Sequence, residues 1–193
     1  EHSLFFNGFR LRGPFSIGGA MKIAVSACLL GENCKYSGGN NRSERLLSEL
    51  AKHPEIEIIP VCPEVAGGLP TPRPPAEIVD GEVVNNCGVS VDAEYRAGVA
   101  AEMARLKPHI ESGELAAAVL QSRSPSCGVH EVYDGTFTGR LFPGLGLFAE
   151  ALERGGVRIV DVADVLVHRM PVDWGKTFPK TYTLKSESWG FAK

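Results

Sequence analysis

No apolar run in this chain approaches the roughly 20 residues that a membrane-spanning helix requires. The longest, Leu115 to Leu120, has the length of a strand. The first twenty residues scatter Phe5, Phe6, Phe9 and Phe15 among Gly and Arg, without the unbroken apolar stretch of a secretory signal. Lys and Arg form no cluster, and the net charge is −3 with a pI near 6.0, so there is no electrostatic footprint for a long nucleic acid. A small uncharged substrate fits this surface better, and no membrane partner is implied. Five cysteines are an odd number for a disulfide framework, and no CxxC pair supports a zinc ribbon or a thioredoxin-like dithiol. A reducing cytoplasm is the expected home.

The chain also lacks an internal repeat and an interdomain linker, and 193 residues suffice for one domain with a core of its own. Met21 is the expected native start, with residues 1–20 a leader or a vector-derived segment. Residues 21–170 form the domain, and 171–193 a tail carrying Trp174, Phe178, Tyr182, Trp189 and Phe191. The two ends hold nine of the fifteen aromatics, which suits docking arms and a homo-oligomer formed through the tails.

Between these ends strand and helix patterns alternate. KIAVS (22–26) reads as a strand running into the loop 27–31. Ser43 caps a helix to about His53, and IEIIPV (56–61) suits a buried parallel strand. The stretch 63–75 holds five prolines and two glycines, which argue for a stiff loop without regular structure. Two β-like pieces surround Ile78 and Val83. Ser90 or Asp92 then caps a long helix whose Tyr95, Val99, Met103, Leu106 and Ile110 face inward, ended by Gly113. LAAAVL (115–120) is a third buried strand, and Tyr133-Asp134-Gly135 predicts a tight hairpin. A helix over 145–154 begins at Gly144 and Gly146, a fourth strand spans 157–160, and 164–170 gives a final helical turn or two. The pattern implies one α/β domain with a mainly parallel sheet and helices on both faces.

Ligands of such sheets bind outside the carboxyl ends of the strands, and Cys28, Cys62 and Cys127 all fall there. Cys34 shares the loop of Cys28 and is the candidate for a further ligand, whereas Cys87 follows Asn85-Asn86 in a turn. Three thiolates leave two cofactors open, a zinc with an open or histidine-filled fourth position and a cubane cluster with one exposed iron. His130 is the histidine nearest the group in sequence, and it reads better as an exposed loop residue than as a ligand. Arg73 is a pocket donor or an anchor for a carboxylate.

The strings SACLLGENCKYSGG (26–39), PVCPEVAGGLPTPRPPAEI (60–78) and QSRSPSCGVHEVYDGTFTGRLFPGLG (121–146) closely resemble the domain of unknown function 523 family, some of whose members are thiouracil desulfidases. Three motifs in the right order carry the resemblance over about residues 21–165. It implies a [4Fe–4S] cluster on Cys28, Cys62 and Cys127, with Glu64 and Ser124 catalytic. It also implies hydrolytic removal of sulfur from a thiolated pyrimidine, 2- or 4-thiouracil, giving uracil and sulfide. Gln121 stands where the family is associated with Lys. The competing function is a noncatalytic iron–sulfur, metal-binding or redox-sensing module, favoured if Cys34 also coordinates.

Overall fold

The computed structural model describes residues 4–6, 9–11 and 20–167, with side chains from 20 to 165. The chain opens with an antiparallel pair, β1 (Leu4–Phe6) and β2 (Phe9–Leu11). There follow β3 (Lys22–Ser26), α1 (Ala27–Leu30), α2 (Glu44–Leu50), β4 (Glu57–Val61) and α3 (Pro63–Ala66). Next come β5 (Ala76–Val79), β6 (Glu82–Asn85), α4 (Asp92–Glu111) and β7 (Leu115–Leu120). The remaining elements are β8 (Glu131–Tyr133), β9 (Leu141–Pro143), α5 (Leu147–Arg154), β10 (Ile159–Asp161) and α6 (Val162–Val167).

The central sheet has the order β10-β7-β3-β4, with every pairing parallel. Its central strands alternate between two cores. Ile23 and Val25 of β3 and Ala117 and Val119 of β7 pack with Leu46 and Leu50 of α2 and Val162 and Val165 of α6. Ala24, Ala118 and Leu120 turn the other way, onto Leu106 of α4 and Phe148 and Leu152 of α5. Helices thus cover both faces, and each fully buried Leu or Phe contributes about 1.5–3 kcal/mol. The chain leaves β3 for β4 on one side and later returns to β7 on the other, so β3 and β7 flank the reversal point where such sheets open a crevice.

Local sequence chemistry explains most boundaries. Ser43 Oγ accepts the Leu46 amide at 3.3 Å and caps α2, which ends at Leu50, short of the expected His53. Asp80 and Gly81, both at positive φ, make the two-residue turn between β5 and β6. Gly146 is the N-cap of α5.

Several expectations are corrected. The stretch after Cys62 is not wholly irregular, because Pro63 sits at the first position of α3, where its missing N–H is no loss. The loop after β3 contains the single turn α1, closed by Gly31 at φ 104°. Neither Ser90 nor Asp92 caps α4. Val91 holds that position without a side-chain bond, and Asp92 Oδ1 accepts the Val83 amide instead at 3.2 Å. The 133–135 segment is no tight hairpin, since β8 and β9 are joined by residues 134–140. The last helix is Val162–Val167; the expected extension to 170 and the aromatic tail 171–193 lie outside the described residues. Among the described residues no helix is long and apolar enough to cross a membrane.

Candidate functional site

At the carboxyl ends of β3, β4 and β7 lies a cavity of about 520 Å³ lined by Cys28, Cys34, Cys62, Glu64, Arg73, Tyr95, Ser124, Ser126 and Cys127, among others. Each strand hands its polypeptide to a turn that turns a functional side chain inward. β3 passes into α1 with Cys28 in its first turn. β4 leads directly into Cys62, the N-cap of α3, and Glu64 follows in that helix. β7 leads into the loop 121–126, where Arg123 holds a left-handed backbone at φ 59°. A non-glycine residue so placed costs about 1–3 kcal/mol, a strain that clusters at functional sites.

The structure brings all five sequence-derived site residues, Cys28, Cys62, Cys127, Glu64 and Ser124, to this cavity. Cys34 joins them, its thiol interacting with those of Cys28 and Cys62 at the same cavity. Cys87 is exposed and does not line the cavity. His130 pairs with Asp164 at 2.7 Å on a half-exposed surface and is likewise not part of the wall. All five cysteines are free, and among the described residues no three His, Cys, Asp or Glu side chains are grouped to hold a single metal ion.

The thiols are strongly perturbed. The hydrogen bond with Cys28, opposed by one with Cys62 and reinforced by burial, pushes Cys34 up to about 11. Cys62 is raised well above the ordinary thiol value, first by Cys34 and then by burial. Burial alone is the main cause for Cys127, pushed up to about 12 although Ser26 and Ser126 hydrogen bond to it. Soft donors crowded in this way suit a thiophilic metal or a metal–sulfur group, whose positive charge would offset the cost of ionising them.

Beside the thiols sits a polar network. Glu64 Oε2 accepts from Arg73 Nε at 2.8 Å and Nη2 at 2.5 Å, with the Arg73 side chain only 5% exposed. Arg73 also donates to the carbonyls of Cys34 (2.9 Å) and Pro70 (3.1 Å) and to Thr71 Oγ1 (3.1 Å). One guanidinium therefore ties the proline-rich loop and the Cys34 loop to the carboxylate, settling the choice left open for Arg73 in favour of the anchor. Glu64 Oε1 accepts from Ser126 Oγ at 2.9 Å, with Ser124 Oγ 3.5 Å away. Tyr95, raised chiefly by burial and then by the charge of Glu64, lines the same cavity.

Sequence reasoning missed Ser126, Glu102 and Gly98. Ser126 lies next to a cysteine in a serine-rich loop, where residue type does not separate it from its neighbours. Glu102 is 6% exposed, and its Oε1 accepts the Cys62 amide at 2.9 Å. Its Oε2 pairs with Arg105 at 2.6 Å, and Arg105 also donates to the Pro60 carbonyl. The signal was a carboxylate on the apolar stripe of α4, between Val99 and Leu106. Gly98 lies on the same face. A Cβ there would overlap the Pro63 carbonyl, and one on Gly67 would overlap the Glu94 carbonyl, so α3 and α4 touch backbone to backbone.

The 2-thiouracil desulfurase family model matches residues 23–164. The chain is 35% identical over 148 residues to YbbK of Bacillus subtilis (strain 168), an uncharacterized protein, covering 72% of this chain and 93% of that relative. Its fold matches the solved structure of the [4Fe-4S]-dependent thiouracil desulfidase TudS with a TM-score of 0.64 and 39% identity, over 75% of this chain and 92% of that one. With motifs, fold and matched span in agreement, the chain belongs to the 2-thiouracil desulfurase family.

Proposed function

We propose that the protein is a cytoplasmic, [4Fe–4S]-dependent hydrolase that exchanges the thiocarbonyl sulfur of 2- or 4-thiouracil for oxygen, releasing uracil and sulfide. The observation that carries this reading is the convergence of Cys28, Cys62 and Cys127 with Glu64 in one cavity at the strand ends. Its volume lies within the range of sites for small molecules. Cys28, Cys62 and Cys127 would hold the cluster. The donor set fits it, because the desolvated thiols of Cys62 and Cys127 are poorly ionised until a cation sits among them. Bound there, the cluster supplies a soft Lewis acid able to polarise a carbon–sulfur bond.

The chain's own residues supply the proton chemistry. Arg73 holds Glu64 Oε2, so Oε1, whose neighbours are serine hydroxyls rather than a guanidinium, is the oxygen that takes the proton of an attacking water. Ser124, adjacent to that oxygen, donates a proton to the ring or the departing sulfur. The balance is C=S + H2O giving C=O + H2S, with no net oxidation or reduction.

Anaerobic purification with iron and acid-labile sulfide assays, followed by loss of the thiocarbonyl absorbance of 2- and 4-thiouracil, tests the reading. Cys127→Ser should lose iron and Cys87→Ser keep it. Glu64→Ala should keep a full cluster and lose about 10²–10⁴-fold in turnover. A fully loaded protein inert toward both thiouracils would sink the desulfidase reading, as full iron in Cys127→Ser would sink the ligand set.

A further inference from the structure

We infer that Ser126 carries protons between Glu64 and Ser124, making the acid–base apparatus a three-membered chain; this rests on the desulfidase reading above. Ser126 Oγ lies 2.9 Å from Glu64 Oε1 and 2.9 Å from Ser124 Oγ. The direct path from Ser124 to Glu64 is 3.5 Å, at the outer edge of a hydrogen bond. Ser126 is 1% exposed, so bulk water has no access to the link it makes. Its remaining polar contact, 3.7 Å to Cys127 Sγ, is longer than either oxygen contact.

Donor and acceptor counting fixes the direction. Ser124 Oγ accepts the amide N–H groups of Ser126 and Cys127, each at 3.2 Å. A hydroxyl has two lone pairs and one proton, so Ser124 has only its proton left to give. In the free enzyme that proton goes to Ser126, and the proton of Ser126 goes to Glu64. Oε2 is held by Arg73, so Oε1 is the end of the chain that exchanges.

During turnover the chain reverses. Glu64 Oε1 takes a proton from the attacking water as the new C–O bond forms and the π electrons of C=S move onto sulfur. Ser124 then turns its O–H to the departing sulfur and gives up its proton as the C–S bond breaks. The two amides stabilise the charge left on Ser124 Oγ, as they would an oxyanion. Ser126 passes its proton to Ser124 and receives the one held by Glu64, which restores the carboxylate. The proton that enters at Glu64 leaves on sulfur as HS−, and the second proton of the water goes from the new C–OH to solvent as the carbonyl forms. Thus C=S + H2O gives C=O + HS− + H+, and no electron changes owner. Ser126 does not touch substrate, so it is a positioning and relay residue.

The test compares loaded wild type, Ser126→Ala and Ser126→Thr. Ser126→Ala should keep iron and acid-labile sulfide and a KM within about threefold, while kcat falls by about 10²-fold, the range for a positioned proton carrier. Ser126→Thr, which keeps a hydroxyl, should recover most of the loss. A wild-type kcat in loaded Ser126→Ala overturns the relay alone, whereas an inert loaded wild type sinks the desulfidase reading and the relay with it. Difference infrared spectroscopy of the unloaded protein supplies a readout independent of turnover. The carboxylate stretch absent from Glu64→Gln should shift in Ser126→Ala. An unshifted band overturns the relay, including where Ser126→Ala fails to load.

Discussion

The two ends of the central sheet carry similar residue types and use them differently. At the amino end, Lys22 Nζ lies 3.4 Å from both Glu57 and Glu114, and Glu114 is 3.2 Å from His109 Nδ1. Glu57 is 55% exposed there and Glu114 26%. At the carboxyl end, Arg73 and Glu64 are 5% and 14% exposed, and their polar atoms are partnered within the 63–75 segment and by the Cys34 and Ser126 loops. Solvent screens the Glu57 side of the first set, where an exposed ion pair contributes about 0–1 kcal/mol. In the second set, removing one partner leaves the other buried and unsatisfied, which costs several times more. Burial and backbone placement, rather than residue type, separate ornament from machinery in this fold.

The sharpest way to break that contrast is to move the backbone of the carboxyl end. Gly98→Ala puts a methyl group where the Pro63 carbonyl stands, and neither backbone can yield without displacing α3. Because α3 carries Cys62 at its N-cap and Glu64 inside it, the displacement reaches the cysteine and the carboxylate together. Overpacking typically costs about 1–3 kcal/mol, and a clash between two backbones belongs at the top of that range. Urea denaturation of the unloaded protein should give this loss, and reconstitution should incorporate iron poorly. A Gly98→Ala protein of wild-type stability and iron content would mean that the close approach of α3 and α4 does not position the site.

The thiols sharpen the comparison through pH. Cys34 and Cys127 are pushed from the ordinary value of 9.0 up to about 11 and about 12. In the unloaded protein the folded state therefore holds these protons more tightly than the unfolded chain does. That contribution is complete below pH 9 and is lost as pH rises from 9 through 11 to 12. Alkylation at pH 8, read by peptide mass spectrometry, should modify exposed Cys87 first and buried Cys127 last. Equal rates at Cys87 and Cys127 would contradict the enclosed rim.

The four central strands, the helices on both faces and the meeting of Cys28, Cys62 and Cys127 were legible because each rests on a local pattern. Ile23 to Val25 and Leu115 to Leu120 are continuous apolar runs, followed by Cys28 three residues on and by Cys127 seven residues on. What was not legible depends on contacts distant in sequence. Glu102 grips the Cys62 amide across forty positions, and Ser126 reaches Glu64 across sixty-two. Asp92 looked like a helix cap, but tertiary pairing gave its carboxylate to the Val83 amide on β6. Gly98 read as an ordinary helix residue because its use, contact with another backbone, has no local signature. Arg73 was ambiguous for the same reason: a guanidinium shows its partner only when the loop folds back.

The smallest expected effect lies at the opposite end of the sheet. Glu57→Gln removes a carboxylate at the start of β4 whose partner, Lys22, retains Glu114 at the same 3.4 Å. With Glu57 mostly in water, and a second acceptor already in place for Lys22, little desolvated charge is stranded by the change. Stability should move by no more than about 0.5 kcal/mol, as for surface substitutions away from special features, and desulfuration should stay at the wild-type rate. Since exposed pairs are screened by salt, any small loss should shrink further between low and physiological ionic strength. Urea midpoints at two salt concentrations and a turnover assay read all three quantities. A loss of several kcal/mol, or of activity, would show that the amino end is coupled to the cavity through β4, which leads into Cys62, and the two ends of the sheet would not be the independent regions described above.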